Sequence, residues 1–194
     1  MKIGIFSDLH LEFAPWDYEP EEGVFYLNAG DTHPYAEHRK RLVDKFGDKI
    51  FGVMGNHDYY HGTFEGAEGH FHSRIESGIK IAGATLWTHL TPNEFEMYKS
   101  HLVDYSLIRH MNYDNYITAH MIHKKFLFES GADIIVSHHS PSFLSVSDRF
   151  KGDAMNCAFA TELYNDITHM SKPPKLWIHG HMHNHSDYMI GSTR

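Results

Sequence analysis

Five short polar clusters of this chain hold residue types that could do chemistry together. They are Asp8-Leu9-His10, Gly30-Asp31, Gly55-Asn56-His57-Asp58, His138-His139 and Gly180-His181-Met182-His183. Carboxylates and imidazoles without thiolates suit divalent ions such as manganese, iron, nickel, cobalt or zinc. The pool Asp8, His10, Asp31, Asn56, His57, His138, His139, His181 and His183 exceeds one coordination sphere and suits two. A shared carboxylate would hold two ions ~3.5–4 Å apart; such a pair polarises phosphoryl oxygens and lowers the pKa of a bound water toward roughly 7, giving a hydroxide nucleophile. Two aspartates against two divalent cations leave surplus positive charge. The site should therefore draw an anionic substrate although the chain carries a net charge of −8.

The elements that must position these residues are legible as short apolar runs: Lys2–Ser7, Val24–Ala29, Lys49–Met54, Lys80–Trp87, Asp133–Ser137 and Lys175–His179. Five of the six are followed directly by one of the polar clusters. In open α/β sheets, ligands bind outside the carboxyl ends of the strands, so the clusters should meet at one sheet edge. Between the strands, Tyr35–Phe46 is amphipathic and stopped by Gly47, and Thr91-Pro92-Asn93-Glu94 is a capping box opening a helix to about His101. Helices are also expected over Asp114–Glu129 and Met155–Met170. Alternating strands and helices imply an α/β fold with mainly parallel pairing. No fixed-period repeat or linker divides the 194 residues, so one domain is expected over 1–194, with a helical insert at about 91–130 that is either a lid or a plain helical layer. The acidic loop Glu12–Gly23 and the loop Gly62–Gly69 are the expected mobile segments.

Composition bounds the function classes. Hydrophobic residues make up 41% and charged residues 22%, ordinary for a globular protein. No apolar run approaches the roughly 18 residues of a membrane span, and the N-terminal run meets Ser7 and Asp8 too soon for a secretory core. One cysteine, Cys157, excludes an internal disulfide and fits a cytoplasmic protein. The longest basic run, Arg39-Lys40-Arg41, offers no phosphate-neutralising stripe, so neither a membrane nor a stably bound nucleic acid is an expected partner. The compositional outlier is histidine, with 19 residues.

Taken in order, Asp-x-His, Gly-Asp, Gly-Asn-His-Asp, His and Gly-His-x-His resemble the calcineurin-like metallophosphoesterase superfamily, over residues 8 to 183. The resemblance implies two packed mixed β-sheets flanked by helices, a four-layer α/β/β/α sandwich. It implies that Asp8, His10, Asp31 and His183 hold one metal and that Asp31, Asn56, His138 and His181 hold the other. His57 is similar to the family's catalytic histidine, which contacts phosphate and protonates the leaving oxygen, and Asp58 would orient it. The implied function is a dinuclear phosphoesterase acting on small phosphomonoesters or phosphodiesters by attack of metal-bound hydroxide, with manganese expected to support activity in vitro. The alternatives are a cyclic-nucleotide or other nucleotide phosphodiesterase or nuclease, and a non-catalytic scaffold on the same fold. The segments 84–88, 136–142 and 176–194 further resemble Icc-like bacterial phosphohydrolases, which continue with another strand and an Asn-Pro turn; against that pattern the sandwich would lack a C-terminal strand.

Ordinary readings stand beside these. Asp and Asn are common in strand-to-helix turns. His138 rather than His139 is expected at the site, because successive strand residues face opposite sides. Arg109 could meet a substrate phosphate or pair with Asp104 or Asp114. His61, His70 and His72 read as loop residues, and His89, His101, His110, His120 and His123 as surface or packing residues. His179 reads as a strand residue of the core or behind the ligands, His185 as rim or surface.

Overall fold

The computed structural model describes residues 2–194. Two sheets form. Strands β1 (Lys2–Phe6), β2 (Val24–Asn28) and β3 (Ile50–Gly52) pair in parallel in that order. In the second sheet, β4 (Phe71–Glu76) runs antiparallel to β5 (Ile79–Ala84), and β6 (Ile134–Ser137) and β7 (Leu176–His179) continue it in parallel. Alternation along β2 explains the stacking. Phe25, Leu27 and Ala29 turn inward with Phe51 and Val53 and meet Ile81, Ile134, Val136 and Ile178 of the other sheet. Val24 and Tyr26 turn outward onto Leu42 and Phe46 of α1 (Ala36–Phe46). The outer face of the second sheet, with Ala82, Ile135 and Trp177, is covered by Leu127 of α4 (Tyr113–Glu129) and Ile167 of α5 (Tyr164–Thr168). The layers are thus α/β/β/α. A strand buried on both faces reads as an uninterrupted apolar run, which is why β2 was legible as one.

Helix α2 (Pro92–His101) starts where the capping box requires, with Thr91 Oγ1 accepting from the Glu94 amide and Glu94 Oε2 accepting from the Thr91 amide. The short α3 (Asp104–Leu107) follows it. Strand β4 was not expected, since its sequence FHSRIE has no apolar run. It is created by a two-residue turn, Ser77 (φ 49°) and Gly78 (φ 81°), whose positive φ angles match the twist of a hairpin. The expected helix Met155–Met170 is a correction: only a 3₁₀ turn at Ala154–Ala158 and α5 form. The cause is competition for backbone donors. The amides of Thr161 and Leu163 donate to Ser140 O (3.0 Å) and Pro141 O (2.9 Å) rather than back along a helix. The two expected mobile loops are pinned. Trp16 lies 5.0 Å from the Phe6 ring, and Phe64 and Ala67 are fully buried. At the other end, Arg194 pairs with the free edge of β7, accepting from the Trp177 amide (2.8 Å) and donating to Lys175 O (3.1 Å).

Candidate metal centre

The loops that leave β1, β2, β3, β6 and β7 converge at the carboxyl edges of both sheets. Backbone bonds zip the first two together: the Asp8 amide donates to Gly30 O (2.9 Å), His10 to Asp31 O (3.1 Å) and Leu11 to Thr32 O (3.0 Å). The approach is close enough to require glycine. A Cβ on Gly55 would stand 2.6 Å from both the Asp31 amide nitrogen and His138 Cε1. Asp8, His10, Asp31, His181 and His183 all take left-handed backbone angles, with φ between 43° and 66°. Such conformations cost about 1–3 kcal/mol each and persist only where surrounding structure dictates them. Here they turn five side chains from three loops, those after β1, β2 and β7, toward the same sheet edge.

Two groups result. In the first, His183 Nε2 lies 3.3 Å from Asp8 Oδ1 and 3.2 Å from His10 Nε2, which is 3.8 Å from Asp31 Oδ2. In the second, His138 Nε2 lies 2.9 Å from Asn56 Oδ1, 3.1 Å from His181 Nδ1 and 3.3 Å from Asp31 Oδ2. Asp31 Oδ1 accepts from the His57 amide (2.8 Å), which fixes Oδ2 between the two groups.

The donor set fits divalent cations. His138 Nδ1 is committed to Ala29 O (2.8 Å), so a neutral His138 presents a lone pair at Nε2 to two further acceptors, Asn56 Oδ1 and Asp31 Oδ2. A cation among them, or a proton on Nε2, relieves that arrangement. Without an ion the proton must do so: burial pushes the His138 imidazolium down, but the Asp31 carboxylate outweighs this and holds its pKa at about 9. Burial likewise pushes Asp8 up, yet the hydrogen bond from His183 and the charge on His138 bring it well below the carboxylate range. His181 is driven down by burial and by its histidine neighbours, as suits a neutral ligand.

Two sequence readings change here. Asp58 does not orient His57. The 3₁₀ turn His57–Tyr59 sends Asp58 inward, where its carboxylate accepts from the amides of Gly55 (2.8 Å), Asp31 (2.9 Å), Thr32 (3.0 Å) and His33 (3.0 Å). It staples the loop after β3 to the loop after β2, while burial and the Asp31 charge push its pKa up to about 6. His57 Nδ1 instead meets Glu12 Oε1 at 3.0 Å. Arg109 is not at the site: it is exposed, and its Nε donates to Gly62 O (3.1 Å). Asn56 is aimed by Asp104, which receives the amide NH₂ on both oxygens (3.1 and 3.2 Å) and leaves Oδ1 facing His138. Asp104, in turn, accepts from Tyr60 and Tyr98.

Of the remaining histidines, His139 packs behind His181, 4.4 Å between ring centroids, with its Nδ1 at Thr85 O and its ring beside Trp87, where burial lowers its pKa to about 3. His179 sits behind the centre, its Nε2 2.8 Å from Ser145 Oγ, and His185 is exposed. His120 and His123 are core residues bonded to Trp87 O and Ala67 O. Glu12, Asp104 and Arg149 are the contributors that sequence reasoning missed. Only Glu12 carried a signal, two residues beyond Asp8-x-His10.

Beside the centre lies a cleft of about 460 Å³. His57, Asn56 and His183 form its floor, and Tyr60, Phe150 and Phe159 are among its walls. The break at residues 159–163 is what lays Phe159 along His181, ring centroids 4.9 Å apart. Arg149 stands at the cleft, its guanidinium 4.4 Å over the Phe150 ring.

Comparison with known proteins agrees with this geometry. The sequence model of the calcineurin-like phosphoesterase family matches residues 1–185. Protein L509 of Acanthamoeba polyphaga mimivirus is 25% identical over 242 residues, covering 94% of this chain and 85% of that protein. The crystal structure of phosphopantetheinyl hydrolase from Mycobacterium tuberculosis matches with a TM-score of 0.65 at 14% identity, over 98% of this chain and 86% of that one, a likeness of fold.

Proposed function

The chain belongs to the calcineurin-like phosphoesterase family, and from that premise we propose that this metal-dependent phosphohydrolase is dinuclear and cleaves small phosphomonoesters or phosphodiesters. The observation that carries the reading is Asp31, whose Oδ2 lies 3.8 Å from His10 Nε2 on one side and 3.3 Å from His138 Nε2 on the other. A carboxylate oxygen so placed suits a bridge. Asp8, His10 and His183 would complete one cation site, and Asn56, His138 and His181 the other. Two divalent cations bound there would polarise phosphoryl oxygens and lower the pKa of a coordinated water.

The chain's own residues do the rest. His57 stands at the cleft floor with its ring stacked on Tyr60, 4.2 Å between centroids, and protonates the departing ester oxygen. Asp104 keeps Asn56 Oδ1 turned inward. Tyr60, Phe150 and Phe159 exclude water from one side of the substrate. Leu102, Val103 and Asp104 line the cleft, which favours a lid role for residues 91–130 within one catalytic domain. The cleft's size and the single Lys or Arg among the described residues that line it, Arg149, favour a small substrate over a duplex, and the lone Cys157 fits a reducing cytoplasmic setting.

Purified protein with Mn²⁺ should hydrolyse p-nitrophenyl phosphate or bis-p-nitrophenyl phosphate. His57→Ala should lose roughly 10²–10⁴-fold in turnover while retaining metal. Full turnover in that variant would overturn the role of His57, and no bound metal after chelator-free purification would favour a scaffold instead.

A further inference from the structure

We propose that Glu12 is a positioning residue that holds His57 and His10 in their working tautomers with one carboxylate oxygen; the proposal rests on the phosphoesterase reading above. Glu12 Oε1 is 3.0 Å from His57 Nδ1 and 3.4 Å from His10 Nδ1, and the two rings meet edge-on, 4.3 Å between centroids at 79°. An imidazole that donates through Nδ1 has Nε2 left for other work. In His10 that nitrogen is the lone pair turned toward His183 and Asp31. In His57 it is the nitrogen that takes a second proton from solvent, giving the imidazolium that delivers it. As the P–O bond breaks and its electron pair passes to the departing oxygen, the proton leaves Nε2 for that oxygen. His57 is left neutral, still donating through Nδ1 to Glu12, and solvent returns the proton.

Three observations favour this role over an incidental contact. First, Asp58 is unavailable, because four backbone amides occupy it. Second, Glu12 Oε2 is buried with no hydrogen-bond partner, and an unsatisfied buried acceptor costs about 1–3 kcal/mol. A side chain placed for its own solvation would not sit so. Third, the turn that carries Glu12 is bonded on both sides: His10 and Leu11 to the Asp31–Thr32 backbone, and the Phe13 amide to His10 O (2.9 Å). Glu12 is therefore referenced to the same loop that presents Asp31. The stacking on Tyr60 sets the plane of the His57 ring, and Glu12 sets which nitrogen faces the cleft.

The test uses the full chain with Glu12→Ala, Glu12→Gln and the double variant Glu12→Ala/His57→Ala. With Mn²⁺, Glu12→Ala should lose about 10–100-fold in kcat with KM changed less than about twofold. Glu12→Gln, whose carbonyl still accepts from Nδ1–H, should recover part of that loss. At saturating Mn²⁺, where the contact to His10 no longer limits metal binding, the double variant should be no slower than His57→Ala alone, because residues acting through one another are not additive. Independently of activity, long-range ¹H–¹⁵N spectra of chelator-treated protein, with His57 assigned through His57→Asn, should show Nδ1–H in the parent and a mixed tautomer in Glu12→Ala. Unchanged kcat, additive losses, or an unshifted His57 tautomer would each overturn the proposal. So would a third equivalent of bound Mn²⁺ lost in Glu12→Ala, which would make Glu12 a ligand with His10 and His57. If the protein hydrolyses no phosphate ester at all, the functional reading fails and the tautomer spectra still decide the Glu12 contact.

Discussion

Replacing Asp104 by leucine should disable one cation site and spare the other. Asp104 is 4% exposed and makes no contact with the candidate ligands other than Asn56, so its effect must travel through that amide. In the parent, both carboxylate oxygens accept from Asn56 Nδ2, and the Tyr60 and Tyr98 hydroxyls donate to the same group. Hydrogen bonds to a charged group contribute about 1.5–3 kcal/mol, enough to hold the amide in one of its two orientations. In Asp104→Leu, of similar volume, no acceptor faces the Asn56 NH₂. With no acceptor behind it, Asn56 is free to flip, which turns Nδ2 toward His138 and withdraws Oδ1, 2.9 Å from His138 Nε2 in the parent. Loss of such an orienting partner costs 10–100-fold in metal affinity, about 1.4–2.7 kcal/mol. Calorimetric titration of chelator-treated protein with Mn²⁺ should resolve two events in the parent. The Asp31/Asn56/His138/His181 event should weaken by that factor in the variant, while the Asp8/His10/His183 event moves less than about twofold. A melting curve confirms that the variant folds. Two unchanged events would refute the reasoning, and so would two equally weakened ones, which would mean that Asp104 supports the fold at large.

Two further outcomes follow from the same contacts. Asp58→Ala strands four buried amides; at ~1 kcal/mol each the loss is about 4 kcal/mol, a fall in Tm of roughly 8–16 °C. A variant with parental Tm and lowered kcat would return Asp58 to the chemistry. His120 and His123 are pushed by burial to pKa values of about 4. The unfolded chain, at about 6.5, therefore takes up their protons first, so stability is complete above pH 6.5 and declines as pH falls toward 4. At pH 5 each costs about 2 kcal/mol. Melting of chelator-treated protein at pH 7.5 and 5 should show the decline, with His123→Gln recovering about half; parallel curves for parent and variant would contradict it.

Much of the site was legible because the chemistry and the topology leave local marks. Each apolar run ends in the polar residues that the sheet edge needs, and Asp8, His10, Asp31, Asn56, His138, His181 and His183 do gather there. Helices α2 and α4 were legible for a similar reason: caps and periodicity act within a few residues. Strand β4 was not, because an edge strand exposed on one side needs no apolar run, only a partner and a turn.

The sequence by itself determined the residue types and their order, and hence that carboxylates and imidazoles rather than thiolates meet at the edge. The tertiary structure alone decided which carboxylate serves which histidine. Asp58 is adjacent to His57 in the chain, yet a 3₁₀ turn points it at four amides, and Glu12, 45 positions away, takes the place beside the ring. Likewise Asp104 reaches Asn56 across 48 positions, and the backbone of residues 140–141 breaks a helix that local propensity favours. The physical reason is common to all three. A buried donor or acceptor must be satisfied by whichever partner the packed loops bring within about 3 Å, and that partner is set by folding, not by distance along the chain.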